Sequence, residues 1–163
     1  MRRLLVLLRH AKADRPTGPA DFERSLTERG RRDSQVAGEW LRSQGYVPDL
    51  VVCSSARRAR QTWKQANGTL DRTPPVRYER EVYDAAAPYD LIAVIRQVPI
   101  ETQVLLVVGH NPTIEMLSAD LDPDGGKPDG LRTASLAVHT VDGEWVDLDS
   151  GAAPLTATVT ARA

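Results

Sequence analysis

Cysteine is nearly missing from this 163-residue chain. Cys53 stands alone, so no internal disulfide can form and a reducing compartment is open to it. An excess of charge of one sign is missing too. The 21 basic and 22 acidic side chains leave a net charge of −1, which gives no bulk argument for nucleic acid or an anionic membrane as a partner. No apolar run is long enough to span a bilayer. The patterns G-x-x-x-x-G-K-[ST], G-x-G-x-x-G and G-x-S-x-G do not occur, which argues against a P-loop, a dinucleotide fold and a nucleophile elbow. A cysteine phosphatase loop needs Cys and Arg six positions apart, but Cys53 plus six is Ala59, and Arg58 falls one short. Three scattered histidines and one cysteine have no metal-ligand spacing. What these absences leave is one ordinary globular domain, long enough to bury a core. The expectations are a cytoplasmic location, no metal and no organic cofactor.

The first residues, MRRLLVLLRHAKA, carry basic groups, an apolar run and an A-x-A ending, the layout of a secretory signal. The apolar stretch Leu4–Leu8 is five residues long, below the roughly 7–15 of a signal core, and Arg9 and His10 interrupt it. It reads as a strand. Similar runs recur at Leu50–Cys53 and Val104–Val108. All three are continuous rather than alternating, as expected of strands covered on both faces. Helical patterns lie between them. Residues 28–43 place Val36, Trp40 and Leu41 on one stripe, with Thr27 as candidate N-cap and Gly45 as a stop. Residues 56–70 read as a second helix capped by Ser54 or Ser55. Residues 88–97 read as a third, with Leu91, Ile92 and Ile95 inward, and residues 111–121 as a fourth with Pro112 in its first turn.

Strand–helix alternation predicts an α/β fold, a three-layer sandwich with a mainly parallel central sheet and helices on both faces. Ser135–Val141 and Trp145–Leu148 flank Asp142-Gly143 and are expected as an edge hairpin. Residues 121–132, holding DPDGGKPDG, read as a loop. The small, polar segment 151–163 is expected as a surface tail beyond a single domain of residues 1–150.

Each apolar run ends in related chemistry. Leu4–Leu8 leads into Arg9-His10, Val51–Cys53 into SSARRARQT, and Val104–Val108 into Gly109-His110-Asn111-Pro112. In an open parallel sheet the C-terminal strand ends share one edge, where ligands bind. If the three strands are neighbours, two imidazoles and at least two guanidiniums meet there. That set suits a tetrahedral oxyanion. Arg presents paired, planar donors to phosphate oxygens, helix N-termini add backbone N–H groups, and a neutral imidazole is a competent nucleophile toward phosphorus. The ordinary alternative is that a histidine at a strand end and an Arg-rich helix start are surface groups. Cations at a helix N-terminus are disfavoured by ~0.3–1 kcal/mol, so Arg57, Arg58 and Arg60 ask for another reason to be there. His139 lies inside an alternating strand with no polar cluster and reads as structural or exposed.

Arg9-His10 after the first strand, then LTERGRRDSQVAG, then SSARRARQT, then GHNP, follow one another across residues 4–117. In that order they resemble the histidine phosphatase superfamily, with its phosphoglycerate mutase-like fold. Arg-His-Ala-Lys-Ala in place of Arg-His-Gly, the short chain, and Val82-Tyr83-Asp84-Ala85 look most like the phosphohistidine phosphatase branch of SixA type. The resemblance implies that His10 is the nucleophile that carries the phosphoryl group. Arg9 is then the adjacent phosphate-binding arginine, and Arg58, not Arg57, matches the arginine of the R-A-x-Q-T pattern. His110 matches the second histidine, which donates to the phosphate, and Asn111 is expected beside it in substrate binding. Thr27 and Gly30 fall on the L-T-x-x-G element. Asp21 and Arg24 read as a loop-fixing pair or, equally, as solvated charges. Many superfamily members have a Glu general acid, which this branch often lacks. Glu81 is its positional candidate, with Glu79 and Asp84 behind it, and an exposed charge is the even alternative.

The implied reaction has two steps: neutral His10 attacks phosphorus, and water then hydrolyses the phospho-His10 intermediate. It needs no metal and no organic cofactor. A weakly supplied acid suits an imidazole leaving group better than an alkoxide, so the expected substrate is phosphohistidine on a protein. A general small-molecule phosphomonoesterase is the alternative, and a phosphate-binding module without turnover is a further one. The partner is then a phosphorylated protein or a small phosphorylated metabolite, not nucleic acid or membrane.

Overall fold

The computed structural model describes residues 2–15, 20–125 and 130–163. Its strands are β1 (Arg2–Arg9), β2 (Leu50–Ser54), β3 (Val76–Glu79), β4 (Val104–Gly109), β5 (Ser135–Asp142) and β6 (Leu155–Thr160). They form one sheet in the order β3-β2-β4-β1-β5-β6. The first four in that order run parallel, β5 is antiparallel to β1, and β6 is antiparallel to β5. The helices are α1 (Glu28–Gln44), α2 (Arg57–Asn67), α3 (Arg80–Asp84), α4 (Pro88–Ile95) and α5 (Thr113–Leu121). This is the expected α/β sandwich.

The continuous apolar strands are explained by two cores. Leu5, Leu7, Val52, Leu105 and Val107 face α4 and α5, while Val6, Leu8, Val51, Cys53, Leu106 and Val108 face α1 and α2. Successive side chains point to opposite faces of a strand, and here both faces are covered. Each buried aliphatic side chain contributes roughly 1.5–3 kcal/mol. Among the described residues no helix is long and apolar enough to cross a membrane.

The helix signals are met with small shifts. Thr27 caps α1 by accepting from the Gly30 N–H at 2.9 Å, and Gly45 ends it at φ 75°. That left-handed conformation suits glycine. The position before α2 is Ala56, not Ser54 or Ser55, although the Ser54 hydroxyl accepts from the Ala56 N–H at 3.2 Å. Pro112 sits at the N-cap of α5 rather than in its first turn.

Two expectations fail together. Trp145–Leu148 is not a strand: Trp145–Asp147 is a short 3-10 turn. Trp145 is fully buried and its Nε1 donates to the Thr102 carbonyl at 2.9 Å, which draws the segment into the core instead of along the sheet. The partner of β5 is the segment expected as a tail. Ala157 and Val159 pack on one core, and Leu155, beyond a register shift at Val138/His139, packs on the other. Arg162 then donates to the Thr133 carbonyl at 2.8 Å, and the Ala163 N–H to Asp33 at 2.9 Å. His139 is buried and structural, hydrogen-bonded to the Ser118 hydroxyl and the Ala153 carbonyl, each at 2.8 Å. Of the expected loop 121–132, residues 126–129 lie outside the described residues, and Leu121 ends α5.

Deleting residues 155–163 should therefore lower the urea midpoint sharply, by the equivalent of more than ~3 kcal/mol, because it uncovers β5 and removes buried side chains. A disposable tail would leave the midpoint unchanged.

Candidate active site

The site begins with strand pairing. Arg9 lies opposite Gly109 in the parallel β1–β4 register, and the His10 N–H donates to the Gly109 carbonyl at 3.0 Å. The residues that follow, His10 and His110, therefore leave the sheet side by side. Their ring centroids are 5.1 Å apart. β2, on the other flank of β4, delivers Ser54 and the first turn of α2. Together they enclose a cavity of about 370 Å³ whose lining includes Arg9, His10, Lys12, Asp21, Arg58 and His110.

His10 is 7% exposed. Its Nδ1 lies 2.7 Å from the Ala11 carbonyl, which can only accept, so the proton sits on Nδ1. Nε2 is left with its lone pair, engaged by the Arg58 Nε–H at 3.3 Å. Burial, then the neighbouring His110, Arg58 and Arg9, push the His10 pKa down to about 3, against the opposing bond to Ala11. The ring is neutral at pH 7. The backbone beneath it is held from three sides. The Ala11 N–H donates to Thr62 Oγ1 at 3.0 Å, and that hydroxyl donates to the Arg58 carbonyl at 2.8 Å. The Ala134 N–H is shared between the Arg9 and His10 carbonyls at 3.1 and 3.2 Å. Ala134 does this at φ 60°, a strained conformation for a residue with a Cβ, costing of order 1–3 kcal/mol.

His110 is pushed down to about 4, by burial first and then by Arg58, with Arg9 and Arg24 adding and Asp21 opposing. Its Nε2 lies 2.7 Å from Ser54 Oγ. That hydroxyl also accepts from the Ala56 N–H, and its second lone pair and its proton both remain for Nε2. His110 Nδ1 is buried and has no protein partner among the described residues.

Arg58 is buried, with all three of its nitrogens engaged. Besides His10, it donates to the Asp21 carbonyl at 2.8 Å and to Asp21 Oδ2 at 3.0 Å. Asp21 opens a 3-10 turn, Asp21–Glu23. Its carboxylate also accepts from Arg24 at 2.9 Å and from the Tyr83 hydroxyl at 2.8 Å. Burial opposes that charge, but the bonds from Tyr83, Arg24 and Arg58 outweigh it and hold the carboxyl far below the usual range. The Asp21–Arg24 pair thus exists, and Asp21 also grips Arg58. Tyr83 stands edge-on to His110, with centroids 5.6 Å apart, and to Phe22 at 5.0 Å. It bridges both halves of the site. Sequence reasoning quoted Tyr83 only within Val-Tyr-Asp-Ala and gave it no role.

Arg9 reaches the cavity from β1, donates to the Leu131 carbonyl at 3.0 Å, and has its pKa lowered by burial. Asn111 lines the cavity too, but its amide hydrogens go to the Leu131 carbonyl at 2.7 Å and to Glu115 at 3.4 Å. Glu115 accepts from the Leu131 N–H at 2.6 Å. Asn111 therefore braces the segment on which Arg9 rests rather than offering donors to phosphate. Gly30 lets α1 press on the same loop, since a Cβ there would lie 2.2 Å from the Lys12 carbonyl oxygen.

Glu81 is not brought to His10. Side chains one residue apart on a helix differ by about 100°. Within α3, Val82 is buried in the core and Tyr83 reaches Asp21, so Glu81 falls on the outer side. It lines a different cavity, of about 420 Å³, with Glu79, Asp84 and Asp90. Asp21 is the carboxylate lining the His10 cavity among the described residues. No group of three or more His, Cys, Asp or Glu among the described residues is placed to hold a metal ion.

Comparison with known proteins agrees with this geometry. The model of the histidine phosphatase superfamily (branch 1) matches residues 5–84. The uncharacterised protein Rv1276c of Mycobacterium tuberculosis is 39% identical over 156 residues, covering 91% of this chain and 96% of that one. A solved structure from Nakamurella multipartita, described as a phosphohistidine phosphatase SixA by assignment, is 35% identical, covers 100% of this chain and 98% of its own, and superposes with a TM-score of 0.85. The protein histidine phosphatase SixA in complex with tungstate, 23% identical, shares the fold at a TM-score of 0.82 over 96% of both chains.

Both histidines resist protonation in the folded state, below the 6.5 of a free imidazole. Their contribution to stability is thus full above pH 6.5 and is lost as pH falls toward about 4 and about 3. The expected loss between pH 6.5 and 5 is up to about 1.4 kcal/mol per pH unit per histidine. Urea titrations should show it, and the His10→Asn variant should show a shallower slope.

Proposed function

This chain belongs to the histidine phosphatase superfamily and is a histidine phosphatase, and from that premise we propose that it removes the phosphoryl group from phosphohistidine carried on a protein. The observation that carries this reading is the proton inventory of the cavity. His10 offers a bare Nε2, Arg9, Arg58 and His110 offer donors, and the carboxylate present, Asp21, is held ionised. Among the described residues no carboxylic acid stands ready in this cavity to protonate a leaving group. An alkoxide leaves poorly under those conditions, whereas an imidazole leaves readily. The Nakamurella relative carries a name with the same substrate.

The chemistry follows from the bonds described. The incoming phosphoryl group draws Arg58 away from the weak 3.3 Å contact with His10 Nε2. Nε2 attacks phosphorus in line; the new N–P bond forms as the P–N bond to the substrate imidazole breaks, and that imidazole takes a proton from water. Arg58, Arg9 and His110 hold the equatorial oxygens, where charge is spread in a loose transition state. The Ala11 carbonyl keeps the Nδ1 proton and offsets positive charge developing on the ring. A bound dianion raises the pKa of His110 and favours its charged form. Water then attacks phosphorus, the His10–P bond breaks, and phosphate leaves.

A second reading, a phosphomonoesterase for small metabolites, is favoured by the cavity volume of about 370 Å³, which lies within the range of small-ligand sites.

His10→Ala should abolish turnover of phosphohistidine protein and aryl phosphate alike. Quenching wild-type turnover of labelled substrate should trap an acid-labile phosphoryl group on His10. Label on a serine would sink the covalent cycle. Sugar phosphates cleaved as efficiently as phosphohistidine would favour the second reading.

A further inference from the structure

A second depression adjoins the catalytic cavity and takes no part in the chemistry above. It encloses about 800 Å³. The two share a wall made of the 3-10 turn and the first turn of α2: Asp21 and Arg58 line the cavity, while Phe22, Glu23 and Arg57 line the groove. Its floor is apolar, built from Trp63 and Val76, with Tyr78 rising 47% exposed at one side.

Among the described residues its cations stand without carboxylate partners. Ten of the eighteen arginines form ion pairs with carboxylates. Arg57, Arg60 and Lys64 have no such partner among the described residues. Arg57 reaches only the Glu23 carbonyl, at 3.5 Å, and Arg60 the Ser55 carbonyl, at 2.8 Å. They recur at i, i+3 and i+7, so they form one exposed stripe along α2. Glu23 is the acidic residue that faces them in the groove. Lys64 lies about 9 Å farther along the helix axis than Arg58. A free phosphorylated metabolite held at His10 would not extend along that stripe. A phosphohistidine mounted on a folded protein would.

We propose that this groove is the docking surface for the protein that carries the phosphohistidine. That protein presents an acidic face to Arg57, Arg60 and Lys64, with an apolar side chain set against Trp63, Val76 and Tyr78. The inference rests on the phosphohistidine reading given above and adds the surface that recognises the carrier. Unpaired cations of this kind raise association rates by steering and lose their effect in salt.

The test compares the wild type with Arg60→Glu/Lys64→Glu on two substrates: a short phosphohistidine peptide, and a folded, histidine-phosphorylated domain of strongly negative charge. The double variant should lose about tenfold or more in kcat/KM on the domain. It should keep the peptide rate, which also certifies its fold, and its domain rate should depend less on salt. Lys64→Glu alone, at an exposed and unpaired position, should show a smaller loss in the same direction. An unchanged domain rate would overturn the proposal, and so would an equal loss on both substrates. A wild type that hydrolyses an aryl phosphate but neither phosphohistidine substrate would overturn the phosphohistidine reading, and the docking surface with it. A wild type active on the peptide beside a double variant unaffected on the domain would overturn the docking surface alone.

Discussion

Parallel pairing of β1 with β4 makes one site out of two segments a hundred residues apart. The register places Arg9 opposite Gly109, and the His10 N–H closes on the Gly109 carbonyl one step later. From there both chains must leave the sheet at the same edge, and their imidazoles have nowhere to go but beside each other. The pairing is secure because it is buried on both faces. Leu5 and Leu7 point one way and Val6 and Leu8 the other, each into its own core. A slip of one residue would exchange every side chain between those cores and separate the two histidines.

Around that pair the protein distributes charge with care for which atoms carry protons. His10 keeps its proton on the side facing the backbone and its lone pair on the side facing the cavity. Two neutral imidazoles can lie 5.1 Å apart without repulsion, and burial keeps them neutral. The guanidiniums of Arg9 and Arg58 bring positive charge to the cavity. Their own orientation depends on groups with no part in the chemistry. Asp21 and Tyr83 aim Arg58, and Leu131, braced by Asn111 and Glu115, supports Arg9.

The parallel strands and their terminal Arg-His, Ala-Arg-Arg and Gly-His stretches were legible because they are local. A buried strand announces itself by an unbroken apolar run, and a change to charge marks where it surfaces. The edges of the sheet were harder. β3 carries Arg77, Tyr78 and Glu79 because an edge strand is half solvated, and it has no apolar run to find. β6 is threonine-rich, and its pairing with β5 depends on a tertiary surface that the sequence does not display. Trp145 looked like the start of a strand, and only the Thr102 carbonyl across the core explains why it is a turn. The same holds at the site. Asp21 showed its partnership with Arg24, three residues away, but not its hold on Arg58 or Tyr83, which are distant in the chain. Glu81 was chosen by position alone, and the helical rotation of α3 gives that place to Tyr83.

Arg58 never waits alone. It is bonded to a carboxylate, a carbonyl and an imidazole. Those bonds use three of its five N–H groups, so an arriving anion meets the remaining donors on a guanidinium already aimed by a tethered carboxylate. The guanidinium is thus ordered by folding, and its side-chain entropy is not lost again when an anion arrives.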